Sequence, residues 1–252
     1  MNPTDFLLNP ASVAVVGASA DPNKLNGRPI TYLKRRGYGG RIFPINPRYD
    51  EIDGLKCYAD ARDLPIAPDL GLVLVGANRV IESVQQLAEA GTKAAIVLAS
   101  GFGETGEEGR ARQAALREAA GDMRILGPNT IGLVNLTDGI MLSASGAMEM
   151  PEFNSGNIAL ISQSGGILGS LLSRAMARGI GFSKLIATGN EADLEVSDFL
   201  DAIADDAATS VVALYLETIR DIQKFRAAAG RATNAGKRIV VYKVGRSESG
   251  AS

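Results

Sequence analysis

Short apolar segments alternate with longer segments of helical character along almost the whole chain. In the first half the apolar segments are Ser12–Val16, Arg41–Ile45, Asp69–Val75, Ala94–Ala99 and Met123–Leu126. In the second half they are Ile158–Ile161, Phe182–Ala187, Val211–Leu216 and Arg238–Lys243. This rhythm favours right-handed βαβ crossovers and parallel sheets covered by helices on both faces. The sequence therefore predicts an α/β protein with doubly wound sheets.

The helical segments and one lapse in the rhythm suggest two domains. The predicted helices are Ile30–Arg36, Asn78–Ala90, Glu107–Ala120, Glu195–Ala204 and Ile219–Ala235, with another directly after Gly166. After Leu142 the chain becomes small, polar and Pro-containing, and the rhythm restarts at Asn157. We predict two tandem parallel-sheet domains, at 1–142 and 157–252, joined by a linker at 143–156. No helix follows the last strand, so we expect a fragment cut within the second domain.

Composition narrows the function classes. The 252 residues include 26 basic and 28 acidic side chains, a formal net charge of −2, and no Trp. With no basic excess and few aromatic residues to stack on bases, nucleic acid is not an expected partner. No apolar run has membrane-spanning length and the N-terminus does not resemble a signal peptide, so we expect a cytoplasmic protein with no membrane contact.

Two residue counts limit the chemistry. Histidine is absent, which removes the usual general base and the commonest metal ligand, and no metal site is predicted. The single cysteine, Cys57, excludes an internal disulfide and is interpreted as a small hydrophobic residue near a strand. The basic run Lys34–Arg36 is interpreted as a solvated helix end.

In the first domain, the candidate ligand-binding residues follow the strands. Open α/β sheets bind ligands outside the carboxyl ends of their strands, and small or Gly-containing turns there allow close backbone approach. The candidate residues are Gly17, Ala18, Ser19, Asn46, Pro47, Val75, Ser100, Gly101, Phe102, Pro128 and Asn129. Taken singly, each of the turns after the third, fourth and fifth strands is more typical of a loop than of a site.

In the second domain, one turn predicts an anion site. Ser162, Gln163, Ser164, Gly165 and Gly166 join the strand Ile158–Ile161 directly to a helix, whose first N–H groups and dipole favour a phosphate. Glu217 ends a strand at the same edge and is either a functional carboxylate or a favourable helix-start charge. Asp193 is either a loop residue or a helix N-cap.

A nicotinamide dinucleotide is the main alternative ligand for the first domain. Such a site has an Asp or Glu after the second strand for the ribose hydroxyls, and a G-x-G-x-x-G turn after the first. This chain has Asn46-Pro47-Arg48-Tyr49 after the second strand, and its first turn does not complete the glycine pattern. A cation in place of an acid better suits a nucleotide that carries a ribose phosphate.

Taken together, these segments resemble the nucleoside-diphosphate-forming acyl-CoA synthetases, the superfamily that includes the succinyl-CoA synthetase α subunit. The segments that carry the resemblance are Val13–Ser19, Phe43–Tyr49, Ala99–Glu104, Gly127–Asn129, Ile161–Gly166, Gly189–Asp193, Tyr215–Glu217 and Val244–Gly250. They follow the order in which the family has them and span nearly the whole chain.

The resemblance implies a Rossmann-like domain that binds coenzyme A and a flavodoxin-like domain that transfers a phosphoryl group. It implies the reaction of a small carboxylic acid, CoA and ATP to acyl-CoA, ADP and phosphate, through an acyl phosphate and a phosphohistidine. Ser162–Gly166 would hold the phosphoryl group, and Glu217 would orient the histidine. A separate ATP-grasp domain or subunit would bind ATP or ADP with Mg.

The chain departs from the family pattern at its end. The family places its histidine shortly after the segment that Val244–Gly250 matches, and this chain contains none. We therefore expect the histidine and the ATP-grasp unit to lie outside this chain, which alone would bind CoA without completing the reaction. A non-catalytic CoA-sensing module of a protein acetyltransferase and an NAD(P)-dependent oxidoreductase remain alternatives, and the acyl substrate and any homo-oligomer are left open.

Overall fold

The computed structural model describes residues 4–150 and 153–244. The helices there are α1 (Asp5–Leu8), α2 (Arg28–Arg35), α3 (Ala77–Glu89), α4 (Glu107–Ala120), α5 (Gly165–Met176), α6 (Val196–Ala204) and α7 (Ile222–Asn234). The strands are β1 (Ser12–Val16), β2 (Arg41–Ile45), β3 (Glu51–Ile52), β4 (Leu55–Lys56), β5 (Leu70–Val73), β6 (Ala94–Val97), β7 (Arg124–Leu126), β8 (Gly132–Asn135), β9 (Ile140–Ser143), β10 (Ser155–Ser162), β11 (Phe182–Ala187), β12 (Val211–Leu216) and β13 (Arg238–Lys243). The predicted strands and helices are therefore present, whereas the GRSESG part of Val244–Gly250 lies outside the described residues.

The first sheet is parallel and buried on both faces. Its strand order is β2-β1-β5-β6-β7, and every neighbouring pair is parallel. Val13 and Val15 point into one core, while Ala14 and Val16 point into the other. Because side chains alternate across a strand, an unbroken apolar β1 requires helices on both sides. The doubly wound architecture predicted from the sequence is confirmed here.

The second sheet is mixed. Its order is β13-β12-β10-β11-β8-β9, in which β10 to β13 are parallel and β8 and β9 form an antiparallel pair at the edge. The sequence boundary at 142 assigned residues 132–142 to the first domain. The structure instead pairs Leu133, Val134 and Asn135 with β11. These strands are buried and antiparallel. The alternation of strands and helices, from which the boundary was predicted, therefore does not reveal them.

The N-terminal domain packs directly on this hairpin. The α2 side chain Tyr32 is buried with Met141 of β9, and its hydroxyl donates to the Ser145 carbonyl at 3.2 Å. Arg36 donates to the Met150 carbonyl at 2.8 Å and lies over the ring of Phe153. The basic run at 34–36 is therefore partly a domain contact, not only a solvated helix end.

A second contact joins the carboxyl edge of the first sheet to the turn after β11. Backbone N–H groups of Asn190, Ala192 and Leu194 donate to the carbonyls of Pro128, Gly127 and Ile125 at 2.9, 2.9 and 3.1 Å. This ladder brings the carboxyl ends of the two sheets together. Among the described helices, none has the length and apolar character needed to cross a bilayer.

Candidate functional site

A cleft of about 640 Å³ lies where the carboxyl edges of the two sheets meet. The first domain contributes the ends of β5, β6 and β7, including Val75, Ser100 and Asn129. The second contributes the turn after β10 and the residue after β12, Glu217. Two turns that are distant in the sequence therefore face one cavity, as parallel strand ends of adjoining sheets do.

The turn after β10 presents a helix N-terminus to this cleft. Gly165 and Gly166 begin α5 and line the cavity, so N–H groups without intrahelical acceptors lie at its wall. The Ser162 hydroxyl donates to the Ser164 carbonyl at 2.7 Å and accepts from the Ser164 N–H at 3.1 Å. Ser164 then caps the helix through the Ile167 N–H. A rigid turn at the positive end of a helix is suited to hold an anion.

Gln163 fixes the main chain at Glu217. Its Oε1 accepts from the N–H groups of Glu217 and Thr218 at 2.6 and 3.0 Å, and its Nε2 donates to the Thr218 carbonyl at 3.0 Å. Gln163 is buried, while the Glu217 side chain is exposed to the cleft. The main chain at Glu217 is therefore held, and its carboxylate faces the cleft.

Glu191 is a buried carboxyl in the turn after β11. It is 2% exposed, and its φ of +55° lies in the left-handed region that non-Gly residues seldom occupy. Its Oε1 accepts from the Val196 N–H at 3.0 Å, and its carbonyl accepts from the Arg220 guanidinium. Burial raises the pKa of Glu191, and a hydrogen bond from Gln163 offsets only part of that effect.

Glu104 occupies the N–H groups of the turn after β6. Its carboxylate accepts from the N–H of Gly101 at 2.5 Å and of Phe102 at 3.2 Å, and from the side-chain amide of Asn190 across the domain contact. Burial works to raise the pKa of Glu104, but these hydrogen bonds outweigh it and the pKa is lowered. The carboxylate therefore stays ionised at neutral pH and links the two domains.

The first turn is held by two asparagine side chains. Asn26 Nδ2 donates to the Gly17 carbonyl at 2.5 Å, and Asn46 Nδ2 donates to the Ala18 carbonyl at 2.7 Å. Gly17 has a φ of +83°, and a Cβ there would lie 2.8 Å from Val75 Cγ1. Only glycine fits this close approach of β1 to β5.

A smaller cleft of about 330 Å³ continues from the first turn along the first domain. Its walls include Gly17, Asn46 and Pro47, and the guanidinium-bearing residues Arg48 and Arg79. It shares Leu74 and Val75 with the larger cleft, so the two form one continuous surface. An extended ligand with an anionic end fits this arrangement.

The predicted site residues fall into three groups. Those that line the larger cleft are Val75, Ser100, Asn129, Gln163, Ser164, Gly165, Gly166 and Glu217. Those that line the smaller cleft are Gly17, Asn46, Pro47 and Val75, while Ser19 lines a third cleft beside α2. Those that line none of these clefts are Ala18, Gly101, Phe102, Pro128 and Ser162.

The predicted site residues that line none of these clefts support the turns from inside the fold. Ala18, Phe102 and Ser162 are fully buried, so their side chains do not contact a ligand in this conformation. Phe102 anchors the turn after β6 in the core of the first domain. Asp193 lies in the loop before α6, as one of its two sequence interpretations predicted, and there it pairs with Arg124 across the domain contact. The other interpretation is wrong, because Glu195 is the N-cap of α6.

Sequence reasoning missed Asn190, Glu191 and Arg79. Arg79 was predicted only as part of a helix start. Its position after β5 indicates that it lies at the sheet edge where ligands bind. Gly189 and Asn190 line the larger cleft because the turn after β11 reaches the first domain. A Cβ at Gly189 would lie 2.4 Å from the Pro128 carbonyl oxygen. That requirement comes from the packing of the two domains, which local sequence does not encode.

Two family models match this chain in the order of its domains. A CoA binding domain matches residues 11–135, and a succinyl-CoA ligase like flavodoxin domain matches residues 155–252. Both matches agree with the sheets and turns described above. The chain belongs to the nucleoside-diphosphate-forming acyl-CoA synthetases. The resemblance seen in its sequence segments is confirmed.

Similar proteins of this family are longer. The α subunit of acetate–CoA ligase [ADP-forming] II from Pyrococcus furiosus is 36% identical over 248 residues, which is 98% of this chain and 53% of that protein. Trans-feruloyl-CoA synthase FCS1 from an unknown prokaryotic organism is 37% identical over 96% of this chain and 35% of its own length. This chain thus spans about half, or about a third, of the length of these relatives.

A solved structure has the same fold. The apo form of acetyl-coenzyme A synthetase 1 from Ca. Korarchaeum cryptofilum superposes with a TM-score of 0.91 at 36% identity, covering 98% of this chain and 54% of that one. The same synthetase in complex with phosphate and ADP gives a TM-score of 0.92. The relative arrangement of both domains is therefore shared with a family member.

Proposed function

We propose that this chain is the CoA-binding and phosphoryl-transfer portion of an ADP-forming acyl-CoA synthetase. The overall reaction converts a carboxylic acid, CoA and ATP into acyl-CoA, ADP and phosphate. The single observation that carries the proposal is the larger cleft. There the strand ends of the first domain, which we propose to bind CoA, meet the N-terminus of α5 and Glu217 of the second domain. Neither domain alone builds this cavity.

CoA fits the two clefts as an extended ligand. The smaller cleft presents Arg48 and Arg79, whose guanidinium groups suit the phosphates of the nucleotide end. Because the clefts share Leu74 and Val75, the thiol arm would run along this wall into the larger cleft. There the thiol would lie near the anion-binding turn, where an acyl phosphate would be attacked and phosphate would leave.

Four residues of the second domain would have defined tasks in this reaction. The N–H groups at Gly165 and Gly166 would hold the phosphoryl oxygens, because a helix N-terminus stabilises negative charge. Glu217 would accept a hydrogen bond from one imidazole nitrogen of the phosphorylated histidine. That contact fixes the tautomer in which the other nitrogen is nucleophilic. Gln163 keeps the main chain of Glu217 in place.

The remaining components would come from outside this chain. The proposal requires a histidine and an ATP-grasp domain or subunit that binds ATP or ADP with Mg, and a small carboxylic acid as the acyl substrate. The longer relatives support this division, since they include an α subunit of an ADP-forming acetate–CoA ligase. Self-association of the chain remains a prediction from the family.

The proposal is tested by turnover of the complete protein that contains this chain, combined with its ATP-grasp unit. With acetate, CoA and ATP, acyl-CoA and ADP should form in equal amounts. Glu217→Gln should lower kcat by about 100-fold or more, as expected for loss of a group that orients the nucleophile. The matched control is Glu107→Gln in the exposed first turn of α4, which should leave kcat unchanged.

Two outcomes would contradict the proposal. Wild-type protein that binds CoA but forms no acyl-CoA with any carboxylic acid would support a CoA-sensing module instead. Reduction or oxidation of NAD(P) by the protein would support the oxidoreductase alternative.

A further inference from the structure

A row of apolar side chains crosses the larger cleft from the proposed CoA wall to the anion-binding turn. Leu74 follows β5, Leu98 follows β6 and Ile131 comes after β7, and all three residues line the cleft. The three strands are neighbours in the order β5-β6-β7. Leu74 and Leu98 pack against the same core, so they lie on one face of the sheet. The strand order therefore leads from Leu74, which the smaller cleft shares, to Ile131.

Ile131 lies against the first residue of α5. A Cβ at Gly165 would lie 2.8 Å from Ile131 Cγ2, so the isoleucine side chain packs directly beside the helix N-terminus. The N–H groups at this N-terminus are those that we propose to hold the phosphoryl oxygens. In an acyl phosphate a single oxygen atom separates the acyl carbon from phosphorus, so the acyl group begins next to these N–H groups. Ile131 is therefore placed to contact the acyl group.

The main chain at Ile131 is fixed by two buried hydroxyl groups. The Ser143 hydroxyl donates to the Ile131 carbonyl at 2.6 Å. The Thr130 hydroxyl donates to the Ala187 carbonyl at 2.5 Å and accepts from the Gly132 N–H at 3.0 Å. Thr130 and Ser143 are 5% and 1% exposed. Because the backbone is held on both sides, a longer ligand cannot easily displace the Ile131 side chain.

The charges of the larger cleft disfavour a second carboxylate on the acyl substrate. Of the described residues that line this cleft, Glu104 and Glu217 are the charged ones, and both are acids. A substrate with a free carboxylate in its acyl group would be repelled by them, and it would lose water beside apolar side chains. An uncharged acyl group meets neither cost.

The guanidinium groups near this cleft are directed elsewhere. Arg28 donates to the Ala144 carbonyl at 3.3 Å and pairs with Glu149 at 3.1 Å. Arg110 and Arg220 line a neighbouring cleft of about 390 Å³. Among the described residues, none of these three arginines lines the larger cleft.

We propose that Ile131 determines the acyl specificity of this site by closing a pocket for a short, uncharged acyl group. The proposal rests on the function proposed above. The substrate class is a monocarboxylic acid with a short aliphatic chain, which would contact Leu98 and Ile131. Shortening Ile131 should lengthen the pocket and leave the CoA wall at Leu74 and Val75 intact.

The test compares kcat/KM for acetate, butyrate, hexanoate and succinate in the complete protein with its ATP-grasp unit. Wild type should use butyrate at least about tenfold better than succinate, which has the same number of carbon atoms but a second charge. It should also prefer butyrate to hexanoate.

Ile131→Ala removes three carbon atoms and should raise the hexanoate-to-butyrate ratio of kcat/KM about tenfold or more. One methylene in an apolar pocket changes kcat/KM by about 10- to 200-fold, and hexanoate has two more than butyrate. Ile131→Val removes a single carbon atom and should raise the ratio less. Each ratio is measured on one preparation of one variant, so a partly unfolded fraction does not change it.

The matched control is Leu136→Ala. Leu136 packs against the same core as Ile131 but lines neither the larger nor the smaller cleft, so its substitution should leave the ratio unchanged. Equal ratios in wild type and Ile131→Ala, an equal rise in Leu136→Ala, or wild-type use of succinate as well as butyrate would overturn the inference and leave the proposed function standing. A wild type that converts none of the four acids would overturn the proposed function and the acyl pocket with it.

Discussion

Asp193→Ala removes the ion pair that joins the two domains, and we expect it to lower the free energy of unfolding. The Asp193 carboxylate accepts from Arg124 Nε at 2.8 Å and Nη2 at 3.1 Å, and from the Ile125 N–H at 2.9 Å. The side chain of Asp193 is 10% exposed and that of Arg124 is 27% exposed. The hydrogen bond to Asp193 makes the largest contribution to raising the pKa of Arg124.

The expected loss follows from these contacts. Hydrogen bonds to charged groups contribute about 1.5–3 kcal/mol each, and removing one partner of a buried pair costs about 3–5 kcal/mol. Arg124 keeps partial access to water, so we expect about 2–3 kcal/mol for Asp193→Ala. For a chain of this size that corresponds to a fall in Tm of about 4–12 °C.

Urea and thermal unfolding measure this loss, with Asp205→Ala as the matched control. Asp205 pairs with Arg231 on the surface, where the two side chains are 75% and 43% exposed. Exposed pairs contribute about 0–1 kcal/mol, so this control should unfold almost as wild type does. Equal Tm values for Asp193→Ala and Asp205→Ala would refute the role of Asp193 in joining the domains.

Three further predictions concern the CoA cleft, the second sheet and the cysteine. Arg48→Ala should weaken binding of CoA about tenfold and leave binding of dephospho-CoA unchanged in calorimetric titration, because one charge-assisted contact to the ribose 3′-phosphate is lost; equal losses for both ligands would contradict a contact to that phosphate, which dephospho-CoA lacks. Burial works to raise the pKa of Asp206, but its hydrogen bond from Lys184 at 2.5 Å and its other contacts lower it overall. Asp206→Asn should therefore lower stability at pH 7, and the difference from wild type should close as the pH falls below about 3.9, the ordinary pKa of Asp; a constant difference in urea midpoints across this range would count against it. Burial raises the pKa of the Cys57 thiol, so it should react with a thiol reagent at pH 7.5 only on unfolding; rapid labelling of the native protein would contradict its buried position.

The sequence contained enough information to predict the five strands of the first sheet and the four parallel strands of the second. The unbroken apolar strands, such as Phe182–Ala187, predicted parallel strands covered on both faces, and the structure has that strand with the same bounds. The hairpin of β8 and β9 was not predicted, because its pairing with β11 is set by contacts between residues about 50 apart along the chain. The local sequence pattern does not determine the register in which two such strands pair.

The candidate site was predictable as turns but not as a cavity. Ser164, Gly165 and Glu217 lie at strand ends, and strand ends at one edge share a site. Glu191 escaped notice because a carboxylate in a polar turn is normally solvated, whereas the structure buries it and bonds it to Val196 and Arg220 of its own domain. Phe102, placed in a ligand-edge turn by sequence, is instead part of the core of the first domain itself.

Calorimetric titration of this polypeptide with CoA, with NAD as the control, tests the central claim most directly. We predict saturable CoA binding, no heat from NAD, and no acyl-CoA when acetate and ATP are added to this chain alone. NAD binding without CoA binding, or formation of acyl-CoA by the isolated chain, would contradict it.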